Sequence, residues 1–295
     1  MNAARRKIFF IINPASGTTP KRLVEEEILS GLDRSVFEYT LLRTSGPGDA
    51  AVRAGQAKEL GADVVVAVGG DGSINEVAGP LIGTEIAVGV IPSGSGNGLA
   101  RHLRIPLKCR DALGVLNRMK TCRIDTGLIN GRHFVNLAGL GFDGWVAYRF
   151  SKSARRGFIA YASSSLGAYI TYRPQPFTLQ LDGHDTIEAR ALFVTCTNSS
   201  QFGYQATLAP HADLTDGKLD VCIVEKPPLI HLPAMTFRLF TRKFDGSPHV
   251  RIYQAREIRV HSPSDLMANI DGEPVALGQE VSVKNFPLSL TMIVP

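Results

Sequence analysis

An α/β half followed by a β-rich half is the fold class that these 295 residues predict, and three observations carry it. Up to about residue 120, short β-branched runs alternate with helical stretches, as in a doubly wound parallel sheet. Beyond about residue 122 the pattern turns to period-two alternation broken by Asn-Gly and Asp-Gly, the texture of antiparallel strands and hairpins. The length, near twice the usual ~150 residues of a domain, accommodates both. Two domains are therefore expected, an α/β domain over 1–122 and an antiparallel β-sandwich-type domain over 123–295, with a last strand that could return to the first.

The elements follow in order. Residues 7–12, 39–43, 64–68 and 87–91 read as strands, and the unbroken apolar character of the last two suits strands covered on both faces. Between and after them, 20–32, 48–61, 74–81 and 111–119 read as helices. In the second half, strands are expected at 123–129, 133–137, 177–181, 189–195, 219–224, 257–261 and 288–293, with hairpin turns at Asn130-Gly131 and Asp182-Gly183. Two helices interrupt this pattern, over 158–172 and 229–241.

Composition narrows the class of protein. With 44% hydrophobic and 20% charged residues the chain is neither disordered, nor a disulfide-dense secreted module, nor collagen-like. Cys109, Cys122, Cys196 and Cys222 form no CxxC pair, which suits reduced, buried thiols in a cytosol. Arg5, Arg6 and Lys7 precede an apolar run too short for a signal peptide, and no uncharged stretch nears the ~20 residues of a membrane span. A cytoplasmic protein is expected. The net charge of +5 comes without a recognised nucleic-acid module, so nucleic acid is not an expected partner.

Nine of the 29 glycines fall between residues 69 and 98, where the chemistry is expected. A buried strand ends in Gly69-Gly70-Asp71-Gly72-Ser73-Ile74-Asn75 and opens a helix, so backbone N–H groups and the helix dipole converge where an anion could sit. Ser93-Gly94-Ser95-Gly96-Asn97-Gly98 repeats the device after the next strand, Asn13-Pro14-Ala15-Ser16-Gly17 follows the first and Thr44-Ser45-Gly46 the second. Four such loops line one edge of one parallel sheet, where open α/β sheets bind nucleotides. Neither GxxxxGK[ST] nor GxGxxG is present. In the second half, Asp213 to Asp220 reads either as a solvated Asp-Gly turn or as oxygen ligands for a hard cation. Asp271-Gly272-Glu273-Pro274 reads by itself as another hairpin turn.

The segments 13–17, 69–76, 94–97 and 271–274, in this order and at these separations, resemble the diacylglycerol kinase catalytic-domain family, which includes bacterial lipid kinases and sphingosine kinases. Residues 134–143 and 209–220 resemble weaker motifs of that family, so nearly the whole chain is covered. The resemblance implies a Rossmann-like first domain of the NAD kinase and phosphofructokinase-like type, and a lipid-acceptor second domain. It implies that Asn13, Pro14, Ala15, Ser16, Gly17, Thr44, Gly69, Gly70, Asp71, Gly72, Ser73, Ile74, Asn75 and Ser95 contact ATP. Asp71 would bind or orient the catalytic Mg²⁺, and Glu273 would be the general base that takes the proton of a lipid hydroxyl. Asp216 would ligate a further Mg²⁺ beside the carbonyls of Asp213 and Lys218, and Asp143 is a candidate head-group contact or, equally, a cap.

Two departures from the family pattern bear on the lipid. Ser73 replaces the commoner threonine of GGDGT, and Gly98 stands where bacterial diacylglycerol kinases usually have aspartate, closer to the sphingosine-kinase version. The implied activity is Mg²⁺-dependent transfer of the γ-phosphoryl of ATP to diacylglycerol or a related lipid or sphingoid base. An NAD kinase-like enzyme and a non-catalytic nucleotide- or lipid-binding protein are the alternatives. A lipid substrate requires peripheral contact with a membrane surface. Arg149, Lys152, Arg155 and Arg156, and the apolar and basic segment 229–244, are candidates for that contact, the segment packing equally well into a core. A homodimer is a further candidate assembly.

Overall fold

Apolar runs flanked by glycine loops build the first sheet. The structure, a computed structural model, describes residues 5–17, 20–152 and 158–295, with backbone alone over 158–164. Two compact units emerge, one made of the described residues up to Ile124 with Leu288–Pro295, the other of Asp125–Pro287. The first unit runs β1 (Arg6–Ile12), α1 (Lys21–Gly31), β2 (Phe37–Arg43), α2 (Asp49–Glu59), β3 (Val64–Gly69), α3 (Asp71–Ala78), β4 (Ala87–Pro92), α4 (Gly98–His102) and α5 (Cys109–Arg118). Its strands pair in parallel in the order β2-β1-β3-β4. Every residue of β3 and β4 is buried, as strands covered on both faces must be. The register sets Ile12 beside Val68, and Gly69 beside Pro92, so the loops after β1, β3 and β4 leave the sheet at one edge.

The chain passes into the second unit along β5 (Thr121–Ile129) and continues through β6 (Arg132–Phe134), β7 (Leu137–Gly141), α6 (Phe142–Ser151) and α7 (Phe158–Thr171). Then come β8 (Gln175–Leu181), β9 (Asp185–Ala191), β10 (Phe193–Thr197), β11 (Gln201–Gly203), β12 (Ala206–Thr207), β13 (Leu219–Val224) and α8 (Leu232–Phe240). Last are β14 (Val250–Ala255), β15 (Glu257–His261), β16 (Met267–Ile270), β17 (Glu273–Ala276) and β18 (Glu280–Ile293). One antiparallel sheet has the order β14-β13-β10-β7-β16-β17; the other joins the first part of β18 to β15, β8 and β9. Phe177, Leu179, Val260 and Val283 from one sheet and Leu140, Val194, Val221 and Ala268 from the other share a single buried core, a β-sandwich. The far end of β18 pairs with β4 in parallel, Met292 beside Val88.

α6, β14, β16 and β17 were not expected from the sequence, and three expected elements differ for a local reason. The strand expected over 133–137 breaks at Val135 and Asn136, whose amides are taken by the Asp271 carboxylate instead of a ladder. The strand expected over 189–195 is two strands, β9 and β10, belonging to different sheets; they part at Leu192, whose N–H donates to Val224 O at 2.7 Å. The helix expected from residue 74 starts at Asp71, because Gly72 takes helical geometry while Gly70 stays extended as the N-cap. Arg155 and Arg156 of the expected basic run lie outside the described residues.

Candidate functional site

The loops after β1, β3 and β4 are pressed together until only glycine fits at Gly17 and Gly94. Gly17 lies at φ +63°, and a Cβ there would collide with the carbonyl oxygen of Ser93. A Cβ on Gly94 would collide with Gly70 Cα and stand 2.9 Å from Asn97 Oδ1. Side chains complete the contact: Asn13 Nδ2 donates to Ser73 Oγ at 3.0 Å, and the hydroxyls of Ser16 and Ser93 are 2.9 Å apart. Lys21 Nζ donates to Ser93 Oγ at 3.1 Å, and burial holds its ammonium below the usual lysine range. Lys21 was not singled out from the sequence, and Ser93 was named there only as part of its loop. The lysine's signal lay in its position, opening the helix just after the 13–17 loop.

Asp71 joins two of these loops. Its Oδ2 accepts the Gly98 N–H at 2.9 Å and its Oδ1 the Leu99 N–H at 3.1 Å, so it caps the start of α4. Burial pushes its carboxyl up, and these two amides oppose the shift. Of the other residues named from the sequence, Pro14, Ala15, Gly72 and Ser95 are exposed, Gly69 is buried, and Gly70 and Asn75 are half-buried. Thr44 is buried at the end of β2 with its N–H on Ile12 O at 2.9 Å. Ile74 points into the core and offers a ligand only its backbone. The arrangement is a set of N–H groups, hydroxyls and one ammonium on glycine turns, which suits phosphate oxygens.

In the second unit the turn that carries Glu273 is anchored from behind. Asp271, 2% exposed, accepts N–H groups from Val135 at 2.7 Å, Asn136 at 3.0 Å and Leu137 at 2.7 Å. Asp271 and Gly272 both have positive φ, +47° and +96°, and Glu273 pairs with Ile270 across the turn. Glu273 is itself exposed, so its carboxylate is presented and not packed. Asn269 ties this turn to α6: its Oδ1 accepts the Gly272 N–H at 2.9 Å and its Nδ2 donates to Asp143 Oδ1 at 3.1 Å. Asp271 and Asn269 gain their importance from partners more than 120 positions away, which no local spacing reveals.

Asp143 lies in the wall of a cavity of about 280 Å³ whose other walls include Phe142, Leu208, Met235, Leu239 and Phe244. Burial pushes its carboxyl up to about 7, and the Asn269 hydrogen bond acts against this. Its Oδ2 has no hydrogen-bond partner among the described residues. An apolar chamber with one carboxyl among its described wall residues suits a chain-bearing molecule with an oxygen or nitrogen near one end.

The Asp213–Asp220 loop is ordered by its own carboxylates. Asp213 Oδ1 accepts from Thr215 N at 2.9 Å, and Asp216 accepts from Lys218 N at 2.9 Å and from Gln254 Nε2 at 3.3 Å. Burial, and then the neighbouring charge of Asp216, push Asp220 up to about 6. Among the described residues no three His, Cys, Asp or Glu side chains are arranged to hold a metal, so a cation here would draw mainly on carbonyls. Carboxylate and turn-carbonyl oxygens are the donor types that a hard divalent ion such as Mg²⁺ takes.

Comparison with known proteins follows the same division. Residues 7–129 match the model of the diacylglycerol kinase catalytic domain, and residues 136–294 match the YegS C-terminal NAD kinase beta sandwich-like domain. A diacylglycerol kinase of Staphylococcus aureus is 30% identical over 273 residues, 91% of this chain and 86% of its own. A crystal structure of a diacylglycerol kinase from Bacillus anthracis superposes with a TM-score of 0.76 at 21% identity, covering 98% of this chain and 97% of that one. An NAD kinase from Archaeoglobus fulgidus, solved with ATP, shares the fold at a TM-score of 0.54 and 12% identity over 97% and 93% of the two chains. No helix among the described residues is long and apolar enough to cross a membrane. With both halves matched in order and a 30% identical relative covered almost end to end, this chain belongs to the diacylglycerol kinase family and is a kinase.

Proposed function

We propose that this kinase transfers the γ-phosphoryl group of ATP to the hydroxyl of a diacylglycerol or a related single-hydroxyl lipid. The observation that carries the lipid acceptor is the apolar cavity in the second unit, where Asp143 bears the only carboxylate among the described wall residues. A water-soluble acceptor such as NAD would leave that lining wet, at a cost that scales with apolar area. The packed glycine loops of the first unit, with Lys21, support the donor role for ATP, as does the ATP bound by the Archaeoglobus NAD kinase of the same fold.

Phosphoryl transfer asks the protein mainly for alignment and charge neutralisation. The amides and hydroxyls of the 13–17, 69–75 and 93–98 loops would hold the phosphates, and Asp71 would keep two of these loops in one geometry by capping α4. Mg²⁺, when bound, would neutralise phosphate charge, and Asp216 with the carbonyls of Asp213 and Lys218 would hold an ion in the second unit. Glu273, held out by the Asp271 turn, would accept the proton of the lipid hydroxyl, a contribution of typically 10²- to 10⁴-fold.

The test is an ATP-labelling panel containing diacylglycerol, sphingosine and NAD, run on the wild type and Glu273→Gln. Label in diacylglycerol, with turnover reduced at least ~100-fold in the variant and ATP affinity retained, is the expected result. Label in NAD alone would replace the lipid reading. Equal loss of ATP affinity in Glu273→Gln would remove the base assignment.

A further inference from the structure

Asn269 stands between the apolar cavity and the turn that presents Glu273. It is 7% exposed, and the register sets it between Gly139 of β7 and Pro274 of β17. Its Oδ1 accepts the Gly272 N–H, one residue before Glu273. A backbone N–H can only donate, so the other end of the amide has to be the donor, and Nδ2 is committed to Asp143 Oδ1. That commitment also sorts the two oxygens of Asp143. With Oδ1 engaged, Oδ2 is the oxygen left without a partner among the described residues, on a side chain that is 4% exposed and lines the cavity.

Two glycines make room for this contact. A Cβ on Gly144, which follows Asp143, would collide with Met267 O, so the first turn of α6 lies backbone against backbone on β16. A Cβ on Gly139 would collide with Asp143 Oδ2, so the carboxyl fills the place of a missing side chain on β7. Neither glycine has a positive φ, and it is this close approach that excludes a larger residue at both positions.

We infer that Asn269 is a positioning residue of the phosphoryl transfer, which couples an acceptor held at Asp143 to the placement of the Glu273 carboxylate through one amide. The inference rests on the reading of Glu273 as the base and of the cavity as the acceptor site. An acceptor oxygen that engages Asp143 Oδ2 draws on a carboxyl whose other oxygen is already tied to Nδ2. Because the amide is planar, its two hydrogen bonds move together, and the displacement reaches the Gly272 N–H. Asparagine suits the task because it carries a donor and an acceptor at one reach with no charge of its own. Aspartate there would have no permanent donor for Asp143, and glutamine would set the amide one methylene further out.

A double-mutant cycle on detergent-dispersed diacylglycerol, with wild type, Asn269→Ala, Glu273→Gln and the double variant, tests it. Asn269→Ala is expected to lower kcat by roughly 10- to 100-fold, since a misplacement of about 1 Å can cost ~10²-fold, with ATP affinity by calorimetry within about twofold of wild type. In the Glu273→Gln background the same substitution should cost less than about twofold, because no base remains to be placed. A loss of equal size in both backgrounds would overturn the inference and leave Glu273 as the base. Glu273→Gln as active as wild type would overturn the base reading and the inference with it. Should Asn269→Ala fail to fold, Asn269→Asp decides, since it has the same shape and keeps an acceptor for the Gly272 N–H. It is expected to raise KM for diacylglycerol at least ~5-fold, the loss of one buried hydrogen bond, with kcat within about threefold of wild type. KM and kcat both at wild-type values in that variant would overturn the inference. If the labelling panel marks sphingosine or NAD in place of diacylglycerol, the diacylglycerol reading falls and the cycle is read on the labelled molecule.

Discussion

Asp271 accepts three consecutive backbone N–H groups, whereas Asp143, equally buried, accepts one side-chain hydrogen bond and leaves Oδ2 without a partner among the described residues. The first carboxylate is spent on structure: it breaks a strand to hold the turn that presents Glu273. The second keeps its proton to unusually high pH. Its carboxyl rises from 3.8 to about 7, so between pH 4 and 7 the folded chain holds a proton that the unfolded chain has released. This group's contribution to stability is therefore fully present at low pH, falls as pH rises through that window, and is level above it. Asp143→Asn has no proton to lose. The stability of wild type minus that of the variant, from urea titrations, is expected to drop by up to ~4 kcal/mol between pH 4 and 8. A difference that does not change with pH would mean that Asp143 titrates normally. The sequence singled out Asp143 and Glu273 but not Asp271 as a support, because a three-amide anchor is a property of two segments 134 to 136 positions apart.

At the scale of elements, strands that end in glycine and open helices were legible because each is a local pattern of buried run, turn and helix start. What was not legible is that the loops interlock. Gly94 meets Gly70 backbone to backbone, and Gly17 meets Ser93. Gly94→Ala would force those loops apart, a strain of ~1–3 kcal/mol that should cost about tenfold in ATP affinity by calorimetry. Gly46, in the loop after β2, has open space where a Cβ would sit, with nothing within 4 Å, so Gly46→Ala should leave affinity unchanged. Equal effects in the two variants would separate the interlocking from nucleotide binding. The same scale explains the misread strands: β9 and β10 form one apolar alternation in sequence, and only the handover of the Leu192 amide to Val224 shows that the chain changes sheets there.

For the whole molecule, the decisive element is β18, which begins in the second unit and ends in the first. Leu290, Met292 and Ile293 are fully buried, and Ser289 O accepts the Gly83 N–H at 2.7 Å. A chain ending at Pro287 would lose three buried apolar side chains from the first unit, roughly 5 kcal/mol against a usual total of 5–15. Hydrogen exchange is expected to show β4 amides losing protection while those of β10 and β13 keep theirs. Uniform protection in the truncated chain would show that the returning strand adds nothing to the first unit. By itself the sequence determined the class of each half, the glycine loops and the family, since these depend on periodicities and motifs within a few tens of residues. The tertiary structure alone decided where the last strand goes, that Asp271 anchors the Glu273 turn, and that one side of α8 lines an apolar cavity while the other stays outside. Those outcomes depend on which distant segments compete for the same buried hydrogen bonds and apolar surface, and a linear pattern carries no record of that competition.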